Sequence, residues 1–401
     1  MNNYMTIFSF ALLLSLCPAA NAETLEELLV RKGIISQSEA AQSSSGRVSY
    51  DKGLKVDFPD KGNGVKLFSL IQPRYQFTDQ DAESGKNNSS SFQMKRARIY
   101  ASGYALQKEF TFALMTDLVG STSSEGAMSP DLQDAIVEYH PSPSWDVRMG
   151  QFLVPFVRES LQAYTQQFPE FSVATTNFAL FRQPGAGAWY RSEDNKFTLG
   201  ASMYNGNSTG EGRNRPAVDT KHTAVVNGRW SPLAPINILE EGDIGSTQDP
   251  AVSMGAAYLY AQANIDKEGI LEDSKINGYN ADLNFKYMGF SAHGEIMGYS
   301  RTGEVGKSSP IGMYAQLGYF LVPKTFEVAG RYSTVDCDKG GGSQCGADIE
   351  RVNEAAVSGN YFFSQDHTLK AQLAWIWRRD EKKESQDIDT SKIILQLSAL
   401  M

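Results

Sequence analysis

The side chains able to do chemistry in this chain do not form a catalytic constellation. Gly206-Asn207-Ser208-Thr209-Gly210 has the G-x-S-x-G spacing of a nucleophile elbow, which needs a strand before the serine and a helix after it. Here the match opens a polar run, GNSTGEGRNRP. Gly185-Ala186-Gly187 lacks the third glycine and the helix of a dinucleotide fingerprint. His140, His222, His293 and His367 are scattered, with no partner at metal-ligand spacing. No catalytic residue, cofactor or metal is expected. What remains is charge carried at every second position of apolar segments. Lys66, Arg74, Arg96, Arg98, Arg148, Lys221, Arg229, Lys286, Arg301, Arg331, Lys370 and Lys392 share the polar faces with Asp117, Asp134, Glu138, Asp282, Glu295, Glu327 and Glu354. The chemistry open to such faces is ion selection by a wetted wall.

That wall is basic, whereas the whole chain carries −9. The excess acid must therefore sit in connections, among them Glu240, Glu241 and Asp243. The acidic balance argues against nucleic acid as a partner. Arginine forks suit phosphate or carboxylate geometry. Arg96 and Arg98 share one face and repel unless an anion or carboxylates neutralise them. A second reading stays open, in which the wall charges pair across strands and merely keep the interior wet.

The elements that must hold these charges are strands. Tyr279, Ala281, Leu283, Phe285 and Tyr287 oppose Asn280, Asp282, Asn284 and Lys286; Leu369, Ala371, Leu373, Trp375 and Trp377 oppose Lys370, Gln372 and Arg378. From Val65 to Met401 such segments of about ten residues recur, which is the pattern of a transmembrane barrel. Long polar candidates (Thr78–Ser91, Asn205–Asp219, Asn264–Lys275, Asp336–Asp348) interchange with short ones near Leu106–Lys108, Glu193–Asn195, Met288–Gly289 and Ser364–His367. Long loops outside and tight turns in the periplasm are the barrel habit. Ile393, Leu395, Leu397, Ala399 and Met401 make one apolar face of a terminal strand. The count comes to about sixteen strands, enough for an aqueous channel.

Residues 1–22 read as a signal peptide with small residues at Ala20-Asn21-Ala22, and 23–46 as a periplasmic helical segment and linker. Residues 47–401 form the barrel domain. Cys337 and Cys345 lie in one Gly-rich loop of an exported chain, so a disulfide is expected. Between Trp145–Phe152 and the strand carrying Gly185 lies a segment of about thirty residues, long enough in a compact β-protein to imply a function. It holds Arg158, Glu159, Glu170 and Arg182.

Gly150-Gln151-Phe152-x-x-Pro155-Phe156-x-Arg158-Glu159, preceded by Leu132-Gln133-Asp134-Ala135, resembles the phosphate-selective porins O and P. Phe92-Gln93-Met94-Lys95-Arg96-Ala97-Arg98-Ile99, Tyr279-Asn280-Ala281-Asp282-Leu283, Tyr319-Phe320-Leu321-x-Pro323 and Ala329-Gly330-Arg331-Tyr332-Ser333 follow in the order of that family. The resemblance implies an outer-membrane porin of a Gram-negative cell. It implies an inward-folded third loop from about Val154 to Arg182 that narrows the channel, and a homotrimer set in outer-membrane lipid.

The all-β reading is thus a channel for passive diffusion of small hydrophilic solutes, leaning toward anions such as phosphate. Arg74, Arg96, Arg98, Arg148, Arg158, Arg182 and Arg331 are the expected pore-lining, anion-contacting residues. Glu159 and Glu170 are the opposing acids. In the constriction these charges either orient solute or brace the loop against the wall. The alternatives are a barrel with a filled lumen, structural or adhesive, and a barrel hydrolase.

Overall fold

The computed structural model describes residues 30–401 apart from 35, 37–45, 59–60, 83–84, 123–127, 162–163, 206–221, 268–269, 304–305, 338–343 and 347. The expected signal peptide, most of the N-terminal segment 23–46, Lys221 and the serine match at 206–210 lie outside the described residues.

Sixteen antiparallel strands close into a barrel. They are β3 (Asn63–Ala82), β4 (Gly85–Ala105), β5 (Phe110–Thr122), β6 (Met128–Ser142), β7 (Trp145–Leu153), β8 (Arg182–Arg191), β9 (Phe197–Tyr204), β10 (Thr223–Trp230), β11 (Ala251–Lys267), β12 (Ile270–Tyr287), β13 (Phe290–Gly303), β15 (Ile311–Val322), β16 (Phe326–Asp336), β17 (Ile349–Phe362), β18 (Leu369–Lys382) and β19 (Ile388–Leu400). β1 (Arg47–Tyr50) and β2 (Leu54–Phe58) form a hairpin laid on the start of β3, and β14 (Gly306–Ser308) pairs antiparallel with the end of β13, ahead of β15. Closure is made by β19 on β3, from Thr390 opposite Gln80 to Leu400 opposite Leu70. Ser69 and Met401 then exchange backbone hydrogen bonds of 2.6 and 2.9 Å. A closed ladder leaves no strand edge and satisfies every backbone group internally, which lipid demands.

Alternation decides the two faces. In β15 and β16 the outward residues Met313, Leu317, Tyr319, Val328 and Tyr332 are exposed and apolar. Their inward neighbours Gln316, Glu327, Arg331 and Ser333 are buried. Outward aromatics gather at the periplasmic strand ends, where Trp145 packs on Tyr190 at 5.4 Å, Phe110 on Tyr139 at 4.9 Å and Tyr361 on Phe363 at 4.8 Å. Amphipathic rings are stable at that depth.

Two loop expectations are corrected. Thr78–Ser91 and Asn264–Lys275 are largely tall hairpins, paired up to Ala82 opposite Gly85 and Lys267 opposite Ile270. Their polar residues hid the strands, because backbone pairing continues above the apolar band without apolar side chains. The four turns expected to be short are short, and a further periplasmic connection is long. Between β10 and β11 the chain runs from Ser231 to Pro250 without regular structure.

Candidate functional site

The inward side chains fall into two groups. The first is a brace for residues 154–181, which leave β7, lie against the inner faces of β12–β19 and return to β8. Phe156 stacks on Tyr299 at 5.8 Å. Phe168 joins Ala329, Ala356, Ile376 and Ile394 in one buried cluster. A single helix α1 (Val173–Phe178) follows, capped by Ser172, whose Oγ accepts from the Thr175 amide at 3.1 Å. Its Ala174 amide donates to Ser333 Oγ at 3.1 Å, and Phe178 packs on Tyr299.

Arg158 and Arg331, expected to contact anions, and Glu159, expected as an opposing acid, belong to this brace, the alternative left open for the inward segment's charges. Arg158 is 2% exposed; its amide donates to Glu295 Oε1 at 2.6 Å and its guanidinium to Tyr314 Oη. Arg331, 4% exposed, lies 3.2 Å from Glu159 and 2.9 Å from Glu354, over the Phe168 ring at 4.4 Å. Glu159, 1% exposed, also accepts from the Ser172 amide and from the Ser172 and Thr175 hydroxyls. A buried charge persists only when paired and hydrogen-bonded, and Arg331 and Glu159 find their partners where the brace meets the wall.

The second group lines the wall of β3–β8 opposite the brace. Arg98 pairs with Asp117 at 2.7 Å, Arg182 with Asp134 at 2.8 Å and Arg148 with Glu138 at 2.6 Å. Arg148 also stacks on Phe152 and on the inward Trp189. Most of the basic wall is therefore neutralised by acids on neighbouring strands or, for Arg182, two strands away.

One place departs from this pairing. Glu170 is shared by Arg74 at 3.0 Å and Lys392 at 3.3 Å. Lys95 lines the same cavity, about 290 Å³, with Glu170, Arg378, Thr390, Lys392 and Glu354, the last already paired with Arg331. Among the described residues Lys95 makes no ion pair, and Arg96 makes only a hydrogen bond to Gln72 Oε1 at 2.8 Å. Lys95 was missed by alternation. The register shifts between Gln72 and Pro73, which face Arg96 and Met94, so Lys95 is the extra residue of a bulge. Pro73 inside a strand was the available signal.

Cys337 and Cys345 are joined by a disulfide with Cα atoms 5.7 Å apart. The loop they close sends Gln344 to the Asn177 carbonyl at the end of α1, and Gln344 also accepts from Arg301. The Ser231–Pro250 connection was also missed. Its prolines and its apolar Ile236, Ile238, Leu239 and Ile244, set without alternation, marked a segment that is not a simple turn.

The whole arrangement suits a wetted passage beside a braced segment, with no group poised for bond chemistry among the described residues. Comparison with curated proteins returned no match. Among solved structures the chain is similar to the outer membrane channel DcaP of Acinetobacter baumannii, with 12% identity, a TM-score of 0.57, and 84% of this chain and 97% of that one covered. It is similar to OmpT of Vibrio cholerae in its trimer form, at 9% identity and a TM-score of 0.54, covering 84% and 99%. OprB of Pseudomonas putida matches at 10% identity and a TM-score of 0.53, covering 82% and 94%. These likenesses are of fold. The profile of the family described as phosphate-selective porin O and P matches residues 70–399. Such a barrel is a passive diffusion channel of the Gram-negative outer membrane and not an enzyme. Matched over most of its length, the chain belongs to the phosphate-selective porin O and P family.

Proposed function

We propose that the channel favours small anions, phosphate among them, and that Arg74, Lys95, Arg96 and Lys392 gather them above the narrowest part of the passage. The observation that carries this reading is the imbalance around Glu170. One carboxylate answers Arg74 and Lys392, while Lys95 borders the same cavity with no ion pair among the described residues. Surplus positive charge in a confined, partly dry space raises the local anion concentration. Arg98, Arg148 and Arg182 act there as wall dipoles, since Asp117, Glu138 and Asp134 already answer their charge. The family description supports phosphate as one such solute.

Chloride current through the protein in a planar bilayer, with inorganic phosphate titrated in, tests the reading. Phosphate is expected to reduce the current, and Lys95→Gln with Lys392→Gln to weaken that block. Current indifferent to phosphate would overturn it. We also propose a homotrimer, supported by the trimer form of the OmpT neighbour. Native mass spectrometry of detergent-extracted protein checks this, and a monomer alone would contradict it.

A further inference from the structure

We propose that the periplasmic connection Ser231–Pro250 is the second half of the constriction, supporting the inward segment from below, and that Glu241 is its positioning residue. The inference rests on the channel reading and not on any preference for anions.

A connection facing the periplasm should expose its acids. This one buries them: Glu241 is 1% and Asp243 2% exposed. Glu241 Oε2 accepts from the Gln167 amide at 2.7 Å and from Gln316 Nε2 at 2.9 Å. One oxygen thus ties the inward segment to the wall strand β15. Its Oε1 lies 4.0 Å from the Arg158 guanidinium. The backbone of the connection adds to the contact. Arg158 Nη1 donates to the Ile238 carbonyl at 3.3 Å, the Thr165 hydroxyl to the Leu239 carbonyl, and the Glu241 amide to the Thr165 carbonyl at 3.4 Å.

The connection is itself fixed to the barrel. Lys286 Nζ donates to the Gly242 carbonyl at 2.9 Å, and Asp243 accepts from the Gly289 amide at 2.8 Å in the β12–β13 turn. Ile244 packs with Phe320 and Phe362. A Cβ on Gly242 would stand 2.4 Å from Glu327 Oε1, so any side chain there would have to displace that carboxylate. The inward segment therefore hangs from two supports, the wall and the connection. Both elements also line one cavity of about 530 Å³, where Arg158 and Leu161 of the segment and Ile236 and Leu239 of the connection face Asn227, Arg229 and Asp282 of the wall. A solute leaving the constriction on the periplasmic side meets the connection next.

The test is single-channel recording of the full-length protein in planar bilayers, with folding checked by heat-modifiable gel migration. Glu241→Ala removes both acceptors and is expected to raise open-channel noise and shift conductance by about twofold, as expected when a constriction loses its fixed geometry. Glu241→Gln keeps an acceptor for the Gln167 amide and should stay near wild type. A disulfide between Thr165→Cys and Leu239→Cys should form on oxidation and return the Glu241→Ala channel to wild-type conductance. A purely structural role would not predict that rescue. Folded Glu241→Ala with wild-type noise and conductance would overturn the proposal. Should Glu241→Ala not fold, the cysteine pair in the otherwise native chain decides: no cross-link would contradict the placement, and a cross-link with unchanged conductance would support it.

Discussion

Arg331 on β16 and Glu159 in the inward segment lie 172 positions apart in sequence, yet Nη1 of one stands 3.2 Å from Oε1 of the other. With Glu354 on β17 answering the second guanidinium nitrogen, the pair welds the segment to the wall. Removing one member of a buried ion pair strands the other, at a cost of about 3–5 kcal/mol. Arg331→Met should therefore lower thermal stability strongly. Arg96→Gln, whose only bond among the described residues is to Gln72, should lower it far less. Melting of the two purified variants compares them directly, and equal losses would contradict the assignment of Arg331 to the brace.

The Cys337–Cys345 disulfide closes a loop whose Gln344 holds the last turn of α1. A short closed loop of this kind contributes about 2–3 kcal/mol through the unfolded chain. Cys337→Ser with Cys345→Ser is expected to lower stability by that order. Hydrogen exchange should rise at residues 173–178, and exchange there indistinguishable from wild type would refute the tether.

Gly318 on β15 faces the inward segment so closely that a Cβ would come within 1.8 Å of Gln167 Nε2. Gln167 also gives its Nε2 protons to Ser291 and Glu327. Gly318→Val is expected to displace Gln167 and cost about 1–3 kcal/mol, the usual range for overpacking. Unchanged melting would show that the segment has room to yield.

On the periplasmic side His367 meets Glu240 at 3.1 Å. Burial pushes the His367 imidazole below its ordinary value, against the hydrogen bond with Glu240. Burial alone would raise the Glu240 carboxyl, but His367 and Lys286 hold it below the ordinary range. Both shifts have the same sign for stability. Each folded group takes up a proton less readily than its unfolded counterpart, so stability falls as pH drops below the unfolded histidine value of about 6.5 and then the unfolded carboxylate value of about 4.3. Protection of the amides at residues 238–243, taken relative to their intrinsic exchange rates at each pH, should fall between pH 7.5 and 5, and less so in His367→Gln. Protection unchanged with pH would contradict this.

The barrel was legible because alternation is local: Tyr279–Tyr287 and Leu369–Trp377 show both faces in a few residues. The tall hairpins were not, since Asp79, Gln80 and Asn264 look like loop residues and pair as strand. The candidate site was half legible. Inward arginines could be placed by parity, but their partners could not. Arg331 with Glu159 and Arg74 with Glu170 are contacts between the wall and the inward segment that no local pattern records. Nor does any local pattern show that Gly318 and Ser358 are the notches that receive Gln167, whose carbonyl accepts from Ser358 Oγ at 2.8 Å. Lys95 escaped because a bulge reverses parity for one residue.

The central claim is that the charge around Glu170 sets the sign of the ions that pass. Reversal potential across a planar bilayer under a potassium chloride gradient measures it most directly, in the wild type and in Glu170→Gln. The expected result is anion selectivity in the wild type and more of it in the variant, where Arg74 and Lys392 lose their shared carboxylate. Cation selectivity in the wild type, or a Glu170→Gln channel with an unchanged reversal potential, would contradict the account.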